Sequence, residues 1–350
     1  MKKFVYIFFV SLSIIGGILL LFLLSTSKQE SEIYSMSFIY FGDKNDYIDF
    51  VDRTNGAINV VSPNYFNLKS DGELKVTEDF DVSFVQEMQK RSVKVVPFLS
   101  NHWDQDLGKK ALKNRESLST QIASFIQEND LGGVSVDLEN LTEQDREDFV
   151  HFIKLLRNKL PTDKELSICI PSNPDGHNEG YFSAFDYQKL VPHIDHFILM
   201  TYDQSYEGSD EGPVASLPWV EQSIHYILSQ GVSSEKIVMG IPFYGRIWSE
   251  DGVFKGTSMG NYLIAEMLHS NPSQVIYNEN FQSPKAKLHV IHGNEYFVPG
   301  KYTIWYEDEK SIASKLSLVH KYDLKGVASW ALSMETEETW SYFHDELNNP

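Results

Sequence analysis

A single cysteine, Cys169, stands in a chain of 350 residues. One thiol makes no intrachain disulfide and supplies no cysteine-based zinc site. Lying inside the apolar run "LSICIP", Cys169 reads as a buried, inert thiol. Positive charge is also scarce: 30 Lys and Arg face 49 Asp and Glu, a formal net charge of -19. That balance argues against nucleic acid or another polyanion as the main partner. The 11 histidines are scattered and form no HExxH. The nearest groupings, "HIDH" (193–196) and "HVIH" (289–292), read as surface or turn residues, not metal ligands. Neither a metal nor an organic cofactor is expected. Internal repeats and low-complexity linkers are missing as well, so the body of the chain reads as one unit, expected to act as a monomer.

What is present begins with the N-terminus. Lys2 and Lys3 precede an uncharged apolar run from Phe4 to Leu24, followed by the polar "STSKQESE". At about 1.5 Å per residue such a run spans a bilayer core as a helix. It is long for a signal peptide, and no clear A-x-A cleavage site follows it. The charges keep the N-terminus inside and send the rest out. Residues 1–27 are therefore expected to be a signal anchor, with a cleaved signal peptide as the alternative. Either way residues 28–350 are expected to work outside the cytoplasm, membrane-anchored or secreted.

Hydrophobic residues make up 42% of the chain, enough for a large core. Eight short apolar runs recur after the N-terminal segment: "MSFIYFG" (36–42), "AINVVSPNYF" (57–66), "VKVVPFLSN" (93–101), "GGVSVDLEN" (132–140), "ELSICIPSN" (165–173), "HFILMTYD" (196–203), "KIVMGIPFYG" (236–245) and "KGVASWALS" (325–333). Helical patterns such as "ESLSTQIASFIQEND" and "TEQDREDFVHFIKLLRNKL" separate several of them. Strand and helix in alternation predict parallel β/α units, and eight such units a (β/α)8 TIM barrel. The spacing breaks once, over about 249–308, where pieces such as "AKLHVIHG" and "EYFV" predict a small α+β insertion between strands seven and eight.

The fourth run carries the chemistry. On a strand Val134, Val136 and Leu138 share one face, while Ser135, Asp137 and Glu139 share the other. Two acids beside an apolar face cost free energy unless compensated, so the pair is either a structural ion network or a site. Active-site groups of such barrels sit at the carboxyl ends of strands. There the sequence places Asp137 and Glu139 on strand four, Tyr202 and Asp203 on strand six, Tyr244 and Arg246 on strand seven, and Trp330 on strand eight. An acid pair, a phenol, an arginine and an indole on one rim suit glycoside hydrolysis, in which a carboxylic acid protonates the leaving oxygen. An acid beside a like charge resists ionisation, which favours the proton-donating form of Glu139.

From about Ser35 to Trp340 the chain resembles glycoside hydrolase family 18, the chitinase-like barrels. "GGVSVDLE" aligns with the last two acids of the family's DxxDxDxE signature, and "LMTYD", "KIVMGIPFYGRIW" and "GVASWALS" resemble its motifs on strands six, seven and eight. "VVSPNYFNLKSDG", "PFLSN" and "WYEDEKSIASKL" further resemble the bacterial branch containing spore-cortex N-acetylglucosaminidases. The resemblance implies a retaining, substrate-assisted mechanism in which the sugar's 2-acetamido oxygen is the nucleophile. It implies Glu139 as general acid and base, Asp137 as the group orienting the acetamido N–H, and Tyr202 as donor to the acetamido oxygen. Trp330 and Met200 would line that subsite, with Asp203, Tyr244 and Arg246 contacting sugar or supporting those that do. An N-acetylglucosamine polysaccharide, most naturally peptidoglycan, would be the substrate. Two signature acids are replaced, by Gly132 and Ser135. Ser135 can offer Asp137 a hydrogen bond but no charge, so Asp137 is expected to stay anionic. The rival readings are a weak or inactive sugar-binding barrel and a chitinase acting on an external polymer.

Overall fold

The computed structural model of the chain describes residues 33–293 and 296–348. The apolar runs become strands because each is short, rich in β-branched and aromatic residues, and bounded by turns. Among the described residues they are β1 (Tyr34–Ile39), β2 (Val60–Pro63), β3 (Lys94–Val95 and Phe98–Ser100), β4 (Gly133–Asp137), β5 (Glu165–Pro171), β6 (His196–Met200), β7 (Ile237–Pro242) and β8 (Gly326–Trp330). The interruption of β3 contains Pro97, which has no N–H to give to a ladder. Pairing continues through it, because the Pro97 carbonyl accepts from the Ser135 N–H at 3.0 Å. The first half of β3 pairs with β2 and the second with β4. Parallel pairing then runs from β4 through β8 and returns to β1 and β2, a curled TIM-like sheet.

Helices cover the outside. Arg146–Lys159 buries Phe149, Phe152, Ile153 and Leu156, a stripe at helical spacing that packs toward the sheet. Glu309–Lys321 starts at a reciprocal cap in which Asp308 and Ser311 bond each other's backbone N–H. Alternation sends every second strand residue inward. Met36, Phe38, Val96, Phe98, Cys169, Ile198, Val238 and Ala328 thus form the interior core, with Met200 and Trp330 packed at its top.

The insertion is present, but its boundary moves. Strand seven ends at Pro242, and Tyr244–Ser249 is the first strand of a second sheet. Tyr244 and Arg246, assigned to barrel strand seven from the sequence, therefore sit on the insertion. That sheet is antiparallel, in the order Lys255–Gly260, Tyr244–Ser249, Gly300–Trp305, Ser283–Val290 and Ser273–Asn278. The helix Asn261–Ser270 packs Ile264 and Met267 against Ile247, Ala286, Leu288 and Ile304 on one face. Residues 296–298, the described part of "EYFV", are not a strand; the ladder forms from Gly300, where Tyr302 and Ile304 alternate into this core. No helix among the described residues is long and apolar enough to cross a membrane. The expected anchor, residues 1–27, lies outside the described residues.

Candidate active site

Close pairing at the start of β4 depends on Gly133, where a Cβ would stand 2.1 Å from the Glu165 carbonyl oxygen. From there alternation points Ser135 and then Asp137 into the barrel. The ladder stops at Asp137, so Glu139 leaves the sheet at the rim. Its backbone is clamped by the side chain of Asn101: the Glu139 N–H donates to Asn101 Oδ1 at 2.8 Å, and Asn101 Nδ2 donates to the Glu139 carbonyl at 2.9 Å. Asn140 then turns the chain away at φ 56°, and its Nδ2 donates to the Trp103 carbonyl at 3.1 Å.

Both acids are held toward their neutral forms. Burial pushes Asp137 up to about 7, with the Cys169 thiol opposing weakly. Burial, then the charges of Asp137 and Asp203, push Glu139 up to about 9. No cation contributes to either shift, which sets the pair apart from a structural ion network. The two titrate as a unit. Ser135 does not serve Asp137 as expected: its Oγ lies 3.5 Å from Cys169 Sγ, and Asp137 Oδ1 is buried with no hydrogen-bond partner among the described residues. Burial with no cation nearby raises Asp137, and the Cys169 thiol opposes that rise by donating to it.

The remaining residues gather around this pair. Asp203, just past β6 at φ 62°, accepts from Tyr244 Oη at 2.6 Å and Arg246 Nη2 at 2.5 Å. Arg246 Nη1 also donates to the Gly256 carbonyl at 3.0 Å. The insertion strand thus fixes the acid that helps hold the proton on Glu139. Tyr202 packs edge-on to Tyr244, ring centroids 6.2 Å apart. Burial and then the charges of Cys169, Asp137, Asp203 and Glu139 raise its hydroxyl, so it stays a neutral donor. The Trp330 ring lies 5.3 Å from Phe38 and 5.4 Å from Tyr40, on the interior cluster that Met200 also joins.

Asn101 was missed by the sequence reading, although the run "VKVVPFLSN" ends on it. So were the rim aromatics Tyr40, Trp103 and Tyr181. Tyr40 and Trp103 are exposed, and Trp103 meets Tyr181 edge-on at 5.2 Å. Tyr181 in turn feels the charge of Glu139. Among the described residues no group of three or more His, Cys, Asp or Glu is placed to hold a metal ion.

Comparison with known proteins agrees with this geometry. The family described as "Glycosyl hydrolases family 18" matches residues 36–335. The putative sporulation-specific glycosylase YdhD of Bacillus subtilis (strain 168) is 28% identical over 225 residues, 63% of this chain and 51% of that protein. The uncharacterized glycosylase YvbX of the same organism is 24% identical over 90% of this chain and 92% of its own length. Its cortical fragment-lytic enzyme is 24% identical over 85% of this chain and 66% of its own length. Among solved structures, a chitinase from Chromobacterium violaceum superposes at TM-score 0.80 with 23% identity, covering 91% of this chain and 100% of that one. The Bacillus cereus spore cortex-lytic enzyme SleL superposes at 0.78 with 20% identity, covering 90% and 74%. At these identities the structural likeness establishes the fold.

Proposed function

Starting from a chain that belongs to glycosyl hydrolases family 18, and is thus a glycoside hydrolase, we propose that it cleaves β-linked N-acetylglucosamine in peptidoglycan by a retaining, substrate-assisted route. The observation that carries the reading is Glu139: a rim carboxyl whose backbone is clamped by Asn101, and which burial and the charges of Asp137 and Asp203 push toward its protonated form. Its proton goes to the leaving glycosidic oxygen as the anomeric C–O bond breaks. The acetamido oxygen of the same sugar forms the new bond, giving an oxazolinium-like intermediate. Asp137 accepts from the acetamido N–H and stabilises the positive charge, Tyr202 donates to the acetamido oxygen, and Trp330 with Met200 forms the apolar floor. Glu139, now a carboxylate, takes a proton from water. That water attacks the anomeric carbon and reopens the ring with retained configuration. Tyr244 and Arg246 hold Asp203 where its charge keeps Glu139 basic enough to accept that proton.

Peptidoglycan is favoured over chitin by the relatives named for sporulation and cortical fragments. It is also favoured by the N-terminal charge and hydropathy pattern, which suits an extracytoplasmic body anchored through residues 1–27 or released from them. The test is reducing-end release from purified peptidoglycan and from chitin oligomers, using the full chain and its Glu139→Gln variant. Release from peptidoglycan that falls by roughly two to four orders of magnitude in the variant is expected. Release from chitin alone would move the substrate. No release from either, with sugar binding retained, would leave a sugar-binding barrel.

A further inference from the structure

The face of the insertion sheet that carries Arg246 continues outward into a recess of about 640 Å³. Its floor follows from strand register. Arg246 lies opposite Trp305, which lies opposite Lys285; one step outward, Trp248 lies opposite Thr303, which lies opposite Lys287; a further step pairs Lys301 with His289. Adjacent strands are about 4.8 Å apart, so the backbone of Lys285 is roughly 10 Å from that of Arg246. The inner wall belongs to the connection that begins with Asp203. There Glu211 accepts from Lys285 and, at 3.1 Å, from Trp305 Nε1, while Trp248 Nε1 donates to the Ser209 carbonyl at 3.1 Å. One strand and one connection are therefore shared by the recess and the groups around Glu139.

Charge sets this recess apart. The chain carries a net -19, yet three lysines and a histidine line the recess against Glu211 and Glu250. Both glutamates are already engaged, Glu211 with Lys285 and Glu250 with Lys301 at 3.4 Å. Lys287 and His289 are exposed and have no side-chain partner among the described residues. Lysines on a sheet commonly guard an exposed edge. Here Lys285, Lys287 and Lys301 sit on strands paired on both sides, so edge protection does not explain them. A neutral amino-sugar polymer would gain little from these cations, whereas an acidic one needs them to offset the field of a strongly acidic protein.

We propose that this recess binds carboxylates carried by acyl and peptide substituents of the amino-sugar strand whose glycosidic bond lies at Glu139, an assignment that rests on the peptidoglycan reading above. Lys287 is the principal contact, with Lys301 and His289 beside it. The recess would then select substituted glycan over chitin.

The experiment compares the full chain with Lys287→Glu and Lys287→Glu/Lys301→Glu. It reads the ratio of kcat/KM on peptidoglycan strands retaining their peptides to that on neutral N-acetylglucosamine oligomers. A fall in this ratio of roughly three- to ten-fold for the single reversal, larger for the double, is expected, with a flatter salt dependence on the acidic substrate. A ratio unchanged in both variants would overturn the proposal. Calorimetric binding of a peptide-bearing glycan fragment and of a neutral oligomer, in the Glu139→Gln background with and without Lys287→Glu, separates the two claims. If the wild-type chain cleaves neither substrate but Lys287→Glu selectively weakens the acidic fragment, the hydrolytic reading falls and the recess stands. Equal effects on both fragments, or none, would remove the recess whatever the catalysis.

Discussion

Glu139 at the mouth of the barrel and Glu165 at its floor are both pushed up by burial, yet their surroundings differ in sign. At the floor, where β1, β5 and β6 begin, Tyr34 Oη donates to Glu165 Oε1 at 2.7 Å, and the charges of Lys94 and Lys325 pull the acid back down against that of Asp195. The fully buried His196 stands with Nε2 3.6 Å from the same oxygen and its ring 4.6 Å from that of Tyr34. At the mouth, the neighbours of Glu139 are Asp137 and Asp203, and both push it further up. Burial is common to the two ends. The sign of the neighbouring charge separates an acid tied into the scaffold from one whose protonated form is favoured.

The comparison is broken most strongly by Asp203→Asn at the mouth. Removing that charge lowers the pKa of Glu139 and frees Arg246. The alkaline limb of the kcat/KM profile is expected to move to lower pH, with activity above neutrality falling about ten-fold per unit of displacement. An unmoved limb would detach Asp203 from the proton on Glu139. At the floor, Tyr34→Phe deprives a buried carboxyl of its donor. It should cost roughly 1–3 kcal/mol in denaturant unfolding while leaving kcat unchanged; a change in kcat would mean that the two ends are coupled.

The finest distinction concerns pH and stability. Burial and then nearby lysines hold His196 well below its ordinary value. Its unfolded form therefore binds a proton first, near pH 6.5, and stability is expected to fall as pH drops below that point. Glu165 acts with the opposite sense, since an acid raised in the folded state loses stability as pH rises above its unfolded value. His196→Gln should flatten the acid-side loss in melting temperature. An identical pH dependence in the variant would place that loss elsewhere.

Much of the mouth was legible because its information is local. Alternation along "GGVSVDLE" turns Asp137 inward, and the ends of the runs place Tyr202 and Trp330 on the rim. What the sequence concealed depends on distant partners. "KIVMGIPFYGRIW" looks like one strand, but after Pro242 the chain leaves the barrel, and Arg246 pairs with Trp305 instead of with β8. Asn101 gains meaning only because β3 lies beside β4 and its carboxamide reaches the backbone of Glu139. Ser135 looked like a donor to Asp137 until β5 placed Cys169 against it. "HIDH" looked like a surface turn, whereas the parity of β6 sends His196 into the interior. Within the insertion, Lys285 and Lys287 become neighbours of Arg246 and Trp248 only through two registers of antiparallel pairing.

The most direct test of the central claim is the anomeric configuration of the first product, followed by proton NMR while the full chain cleaves a β-linked N-acetylglucosamine substrate. Protonation by Glu139 with attack by the acetamido oxygen predicts that the new reducing end appears first as the β anomer and only then equilibrates. An α anomer appearing first would mean direct attack by water, with inversion, and would contradict the account.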